Sequence, residues 1–286
     1  MAVLCSYMPT KKATLLEFNQ KSGKGCLAGK GGSCCPVWQM LTSDGGLSWS
    51  SRTLVVPTGE VAWPARVGPG IGIQLRPTNP HKPGRLLNIG WHWANGSYAY
   101  SFDSIYFSDD GAKSWQQPKQ PKQLNTPCDE AQIVELPNGS ILAMMRPTIT
   151  RFKDCPTCRQ LSISTDGGDT WGWGGVQGAV HPEPQLNGAI CMGSIFGDAN
   201  ATYASFPNSS DVSNGGKVGR KNGVIRVSRD NAKTWSDLIG FGAEAEFAYS
   251  CITDVKDHSR LGILYETGVA NCVGPSCRTV FTTLPR

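Results

Sequence analysis

A chain of 286 residues with 17% charged residues, 34 Gly, 19 Pro and 9 Trp is long enough for a substantial core, and this profile favours many short strands and tight turns over long charged helices. Its net charge of +5 comes from scattered Lys and Arg, so no polyanion or nucleic-acid partner is expected. Eleven cysteines are many for a reduced cytosolic protein, and with sequons at Asn95, Asn138, Asn200 and Asn208 they favour a secreted, lysosomal or membrane-associated protein.

In chain order, the opening MAVLCSYMPTKK has too short an apolar run for a signal peptide or a membrane span, and no later segment approaches bilayer length. Residues 1–38 read as a poorly ordered leader outside the repeating pattern, and residues 39–286 as the folded domain. TSDGGLSW stands at 42–49; short β runs GRLLNIGWHW and SIYFS follow, then SDDGAKSW at 108–115. AQIVEL and NGSILAMMR come next, joined through ELPNGSI, whose Asn138-Gly139 pair is the expected turn of a hairpin. CPTC at 155–158 has redox or zinc spacing without a βαβ context or a second ligand pair, which leaves a hairpin-loop disulfide or plain thiols. RQLSIS leads into STDGGDTW at 164–171, GVIRVS into SRDNAKTW at 228–235, and RLGILYE comes last. No long helical periodicity competes with these strands.

The four octapeptides share one pattern, Ser/Thr-x-Asp-x-Gly/Ala-x-Ser/Thr-Trp with Asn before the last Ala, and recur at offsets of 66, 56 and 64 residues. A several-stranded unit that recurs at this spacing, each time with a signature turn, predicts the blades of a β-propeller. Asp44, Asp110, Asp166 and Asp230 can accept backbone N–H bonds across their own turns, Gly and Asn supply left-handed φ, and Trp49, Trp115, Trp171 and Trp235 return to pack on the sheet. Such turns satisfy themselves and are expected at corners, away from any substrate. No cofactor and no metal are expected, since no second Cys or His pair stands at ligand distance from CPTC.

The boxes resemble the Asp-boxes of the sialidase (neuraminidase) superfamily, whose fold is a six-bladed β-propeller with its active site at the central axis. In DEAQIVELPNGSILAMMR, at 129–146, Glu130 opens a strand and Arg146 ends the next, sixteen residues on, after an Asn-Gly hairpin. Sialidases carry a stretch of this kind. Arg220, in GRKNGVIRVSRDNAKTW, stands where the family's third carboxylate-binding arginine precedes a strand and a box. EFAYSCITDVKDHSRLGILYE puts Tyr249 in the family's Ala-Tyr-Ser context, and Glu266 in the LYE that steadies the first arginine of the triad. The resemblance runs roughly from Gln39 to Phe281. It implies an exo-α-sialidase acting on sialylated glycans with retention, with Tyr249 as nucleophile, Glu130 as its base, and Arg146 and Arg220 on the substrate carboxylate.

These residue types suit that chemistry. Sialic acid carries a carboxylate on the carbon where the bond breaks, and guanidinium forks bind such an anion in a way Lys cannot reproduce. A carboxylate nucleophile would be repelled by that anionic centre, whereas a neutral tyrosine activated by a glutamate is not; sialidases are the known tyrosine exception to two-carboxylate glycoside hydrolysis. Alone, a strand Tyr is usually a packing residue and a strand-end Arg a solvated one. The ordered set Glu130, Arg146, Arg220, Tyr249 and Glu266 reverses that reading.

The chain departs from the family at its start. Family members have an early arginine in an R-I-P motif and then an acid/base aspartate; here Met1 to Thr42 contains neither Arg nor Asp, the first being Arg52 and Asp44. The expectation is an incomplete propeller of about four to five blades, the C-terminal two thirds of a sialidase domain, inactive by itself when those two groups are not supplied from outside it. Two alternatives stand beside hydrolysis. A trans-sialidase would need an aromatic acceptor platform, for which Trp91, Trp93 and Tyr98 are candidates if they are not core. A non-enzymatic sialoglycan-binding propeller is favoured by the missing aspartate and opposed by Tyr249 and Glu130. His81, His92, His181 and His258 join no such set and read as loop or surface residues.

Overall fold

The computed structural model describes residues 13–18, 37–55, 66–93, 101–118, 124, 128–148, 152–209, 219–255, 259–268 and 277–286. Among them there is no helix; the strands form five sheets. No helix is therefore long and apolar enough to cross a membrane. The chain divides into two compact units, one made of Met1–Glu135, Gly139–Ala143 and Ser162–Val180, the other of Leu136–Asn138, Met144–Leu161 and His181–Arg286.

In the first unit, β1 (Ala13–Phe18) pairs antiparallel with β2 (Val37–Thr42), and β3 (Thr53–Leu54) borders β2. The second sheet is centred on β6 (Leu86–Trp93), paired along its whole length with β7 (Ser101–Ser108) and on its other edge with β4 (Arg66–Val67) and β5 (Ile73–Gln74). Val55, Leu86, Tyr106, Ala112 and Trp115 form its buried cluster. Trp91 is also buried, at 5% exposure, and so belongs to the core; Trp93 and Tyr98 lie outside what is described for side chains.

The middle sheet runs β12-β11-β10-β9-β8, from β8 (Ala131–Glu135), β9 (Ile141–Met145), β10 (Cys158–Ser164), β11 (Gly172–Trp173) and β12 (Val176–Gln177), while β13 (His181–Asn187) pairs with the start of β10. Every residue of β8 and β9 is buried, the polar Gln132 and Glu135 of β8 included. Gly139, in the turn between them, has φ +85°, and a Cβ there would lie 2.7 Å from Pro80 Cδ, so only glycine fits. Cys155 and Cys158 form a disulfide that ties the preceding loop to the first residue of β10, which settles the CPTC segment as a loop staple.

The second unit holds the meander of β14 (Ser194–Gly197), β15 (Thr202–Pro207), β16 (Gly223–Ser228) and β17 (Ser236–Gly240), and the sheet of β18 (Ser250–Asp254), β19 (Arg260–Gly268) and β20 (Cys277–Pro285). Ala201, Tyr203, Ile225, Val227, Phe247, Ile252, Leu261 and Ile263 form one core between these two sheets. Phe241, Phe247 and Tyr265 pack with ring centroids 5.0–5.1 Å apart.

The four boxes share one geometry. The first hydroxyl of each, on Thr42, Ser108, Ser164 or Ser228, donates to its Asp Oδ1 at 2.7–2.8 Å and accepts from the N–H four residues on at 2.8–2.9 Å. The same Oδ1 accepts from the backbone N of Ser48, Ser114, Thr170 or Thr234 at 2.9 Å, and Oδ2 from that residue's hydroxyl at 2.5–2.6 Å. The two residues directly after each Asp need left-handed backbone: Gly45 and Gly46, Gly111 and Ala112, Gly167 and Gly168, Asn231 and Ala232 all have positive φ. Trp115, Trp171 and Trp235 are 3%, 2% and 6% exposed, whereas Trp49 is 40% exposed and closes on its own turn through Nε1 to Gly46 O at 3.0 Å. Box hydroxyls hold the carboxylates low: Ser114 holds Asp110, and Thr234 Asp230, down to about 2.

Candidate active site

The second unit assembles Tyr249 from three directions. Tyr249 directly precedes β18, and the ladder between β18 and β19 continues through it: Glu266 N donates to Tyr249 O at 2.9 Å and Ala248 N to Glu266 O at 3.0 Å. Glu266 thus lies opposite Tyr249 in register. Next along the chain, Ser250 meets Ser205 on β15 hydroxyl to hydroxyl at 2.7 Å, and Ile252 N donates to Ser194 Oγ at 3.0 Å. Beneath the phenol, Ala189, Cys191 and Ala248 form a fully buried cluster on which Tyr249 packs.

Two guanidiniums flank that ring. Arg146, which follows β9, donates from Nη1 to Tyr249 Oη at 3.2 Å. Arg220 is brought alongside by backbone pairing, Phe247 N to Arg220 O at 3.0 Å and Asn222 N to Ala245 O at 2.9 Å. Its guanidinium carbon lies 5.5 Å from the centroid of the Tyr249 ring. Arg220 is 7% exposed, and its buried Nε makes no hydrogen bond. A desolvated donor without a partner is unfavourable, and it is one that an anion would satisfy. Gly223, two residues before Ile225 on β16, allows this approach, because a Cβ there would fall 2.1 Å from the Phe247 ring.

Glu130 belongs to the first unit. It stands one residue ahead of β8, half-buried, and its backbone N donates to Asp129 Oδ1 at 2.9 Å. Asp129 is buried, and Asp103, at the centre of β7 opposite Trp91, is 0% exposed. Among the described residues no hydrogen-bond donor reaches either Asp103 oxygen. Burial, then the charges of Asp129 and Glu130, push the Asp103 carboxyl well above the usual carboxylate range. Burial and like charge thus favour the protonated form of the Asp103 carboxyl.

The expected residues Arg146, Arg220, Tyr249 and Glu266 are gathered in one unit, whereas the carboxyl cluster around Glu130 forms within the other. Two buried groups were not singled out for a role by sequence: Arg159 on β10 and Cys191 under Tyr249. An arginine inside RQLSIS, a run of otherwise strand-like residues, was the available signal for the first; nothing marked the second. Of the histidines, His81 is an exposed loop residue, but His92 and His181 lie on strands, and His258 lies outside the described residues. Among the described residues no three His, Cys, Asp or Glu side chains converge as metal ligands.

A family profile described as a BNR repeat-like domain matches residues 28–264. The sialidase of Micromonospora viridifaciens is 31% identical over 232 residues, which are 79% of this chain and 33% of that protein. Of solved structures, the Hadza microbial sialidase Hz136 superposes with a TM-score of 0.70 at 21% identity, over 98% of this chain and 52% of its own. The leech intramolecular trans-sialidase complexed with 2,7-anhydro-Neu5Ac does so with a TM-score of 0.62 at 22% identity, over 96% of this chain and 42% of its own. The chain spans about a third of the length of the curated relatives it matches. The structural likeness shows an all-β fold of the sialidase propeller type.

Proposed function

Because the chain belongs to the sialidase superfamily of BNR-repeat proteins, we propose that it forms the nucleophile-bearing part of an exo-α-sialidase that hydrolyses terminal α-linked sialic acids from glycoconjugates. The observation that carries this reading is the phenol of Tyr249 set between Arg146, at 3.2 Å from its oxygen, and Arg220, at 5.5 Å from its ring. A Tyr hydroxyl that accepts a bond from a guanidinium keeps its own proton for a base. Glu130 takes that proton as the oxygen attacks the anomeric carbon and the glycosidic C–O bond breaks. The aglycone oxygen leaves with a proton from an acid; water, giving a proton back to that group, then attacks the anomeric carbon from the face the aglycone vacated and breaks the aryl glycosidic bond, while Glu130 returns the proton to Tyr249. Retention follows from the two displacements.

Arg146 and Arg220 bind the sugar carboxylate and stabilise the negative charge that gathers on the phenolic oxygen as its proton leaves. The unmet Nε of Arg220 supports an anion in this place. No aspartate precedes Asp44 in these residues, so the acid/base role stays unassigned within the chain, and substrates with good leaving groups are the ones to assay. An activated aryl sialoside should be turned over about a hundred- to ten-thousand-fold faster than a sialyl-galactose linkage, the range that general acid catalysis contributes. Tyr249→Phe should abolish turnover of both. Natural linkages cleaved as fast as the aryl sialoside would show an acid at work within the chain and refute this assignment of roles. Transfer to a galactose acceptor is less favoured, since Trp91, one of the three aromatic candidates for a platform, is core.

A further inference from the structure

Arg159 follows a register shift on β10 and is 0% exposed. A guanidinium is taken out of water at large cost, so its bonds report what it fixes. Glu183 lies opposite it in register on β13. Its Nη1 donates to Ala189 O at 3.0 Å, and its guanidinium carbon lies 5.1 Å from the centroid of the Phe206 ring. The same carbonyl accepts from Cys191 N at 2.8 Å, while Ala189 N donates to Pro207 O at 2.9 Å. The turn from Ala189 to Cys191 is thereby closed on itself and tied through Ala189 to Arg159 and Pro207. On its far side it forms, with Ala248, the floor on which the Tyr249 ring packs. The fit is close: a Cβ on Gly193 would lie 3.1 Å from Arg159 Nε and 3.0 Å from the backbone O of Ser205, the residue whose hydroxyl meets Ser250.

We infer that Arg159 is a positioning residue for Tyr249: through Ala189 O it holds the turn beneath the phenol, and so aims the hydroxyl at Arg146 and the anomeric carbon. This rests on Tyr249 being the nucleophile, but the mechanical link between the two residues can be read without turnover. Misplacement of a reacting group by about 1 Å costs on the order of a hundredfold in rate, and the cost falls on the chemical step, not on binding, because Arg146 and Arg220 keep their places.

The test uses the full chain labelled with 3-fluorotyrosine, the Tyr249 resonance being assigned by its loss in Tyr249→Phe. Arg159→Met should shift or broaden the Tyr249 signal while Tyr203 and Tyr265 stay put. On an aryl sialoside it should lower kcat about ten- to a hundredfold with KM within about twofold. Arg159→Lys, which can still donate to Ala189 O, should recover most of both. Should Arg159→Met fail to fold, Gly193→Ala, which leaves the guanidinium but crowds its Nε, must give the same pattern. An unmoved Tyr249 signal overturns the inference, as does a shift spread equally over Tyr203 and Tyr265 with kcat and KM changed together. A Tyr249 signal that responds to Arg159→Met in a protein without any sialoside turnover upholds the link and removes the nucleophile role instead.

Discussion

Arg85 joins two boxes that sequence presents as independent repeats, and its removal should cost more than the loss of any one box contact. From a side chain only 2% exposed, Nε and Nη2 fork onto Asp109 at 2.7 and 2.8 Å, Nη1 reaches Asp169 at 2.5 Å and Gly167 O at 3.1 Å, and the guanidinium lies 3.9 Å from the Phe107 centroid. Asp109 and Asp169 are 48% and 41% exposed, so they rehydrate when the arginine goes. Their loss is discounted to roughly 0.5–1 kcal/mol each, not the several expected of a fully buried pair. The orphaned Gly167 carbonyl adds about 1–2 kcal/mol and the ring contact about 1 kcal/mol. Arg85→Met, whose chain refills most of the stem volume, should therefore destabilise by about 3–5 kcal/mol. Arg85→Lys should forfeit more than half of that, because an ammonium cannot fork. Urea unfolding of the full chain followed by Trp fluorescence measures both, since Trp115 and Trp171 report from the same unit. A change below about 0.5 kcal/mol in Arg85→Met, or a lysine variant equal to the parent, would refute the reasoning.

The remaining predictions concern acid and base. Asp110 and Asp230, held near 2 by Ser114 and Thr234, contribute stability that is present above the ordinary carboxylate value of about 3.9 and is lost as pH falls towards 2; in urea titrations between pH 5 and 2, Asp110→Asn with Asp230→Asn should flatten that decline, and an unchanged slope would count against it. Asp103 has the opposite sign, because its folded-state affinity for the proton is raised by burial and by Asp129 and Glu130; its contribution is fully present below about pH 4 and is lost as pH rises through its folded value. Asp103→Asn should thus match the parent near pH 4 and gain on it steadily toward pH 8, whereas parallel curves would show that Asp103 is ionised throughout.

What the sequence could disclose follows the range of the contacts. Each box closes its hydrogen bonds within four residues of its aspartate, so eight residues contain all the physics and the motif is legible without a fold. The Asn138-Gly139 hairpin is legible for the same reason. The bond from Arg146 to Tyr249 spans 103 residues; residue types made it chemically sensible, but only likeness to a family placed the two together. Arg159 escaped attention because a strand's alternation does not say how deep each face lies. It sits in a run that reads as an ordinary half-polar strand, yet it is fully buried.

The arginines also show why residue type alone assigns no role. Arg85 is as buried as Arg220, yet its fork is filled by two carboxylates and a carbonyl, so its charge is answered within the fold and nothing is left for a ligand. Arg159 spends a donor on Ala189 O and holds backbone. Arg220 lies against a tyrosine ring with a buried Nε that bonds to nothing. A folded chain leaves such a donor unmet at a cost of about 1–3 kcal/mol, and that cost is recovered when an anion arrives. By this criterion the guanidinium beside Tyr249 is built for a visitor and the one under the boxes is built for the fold.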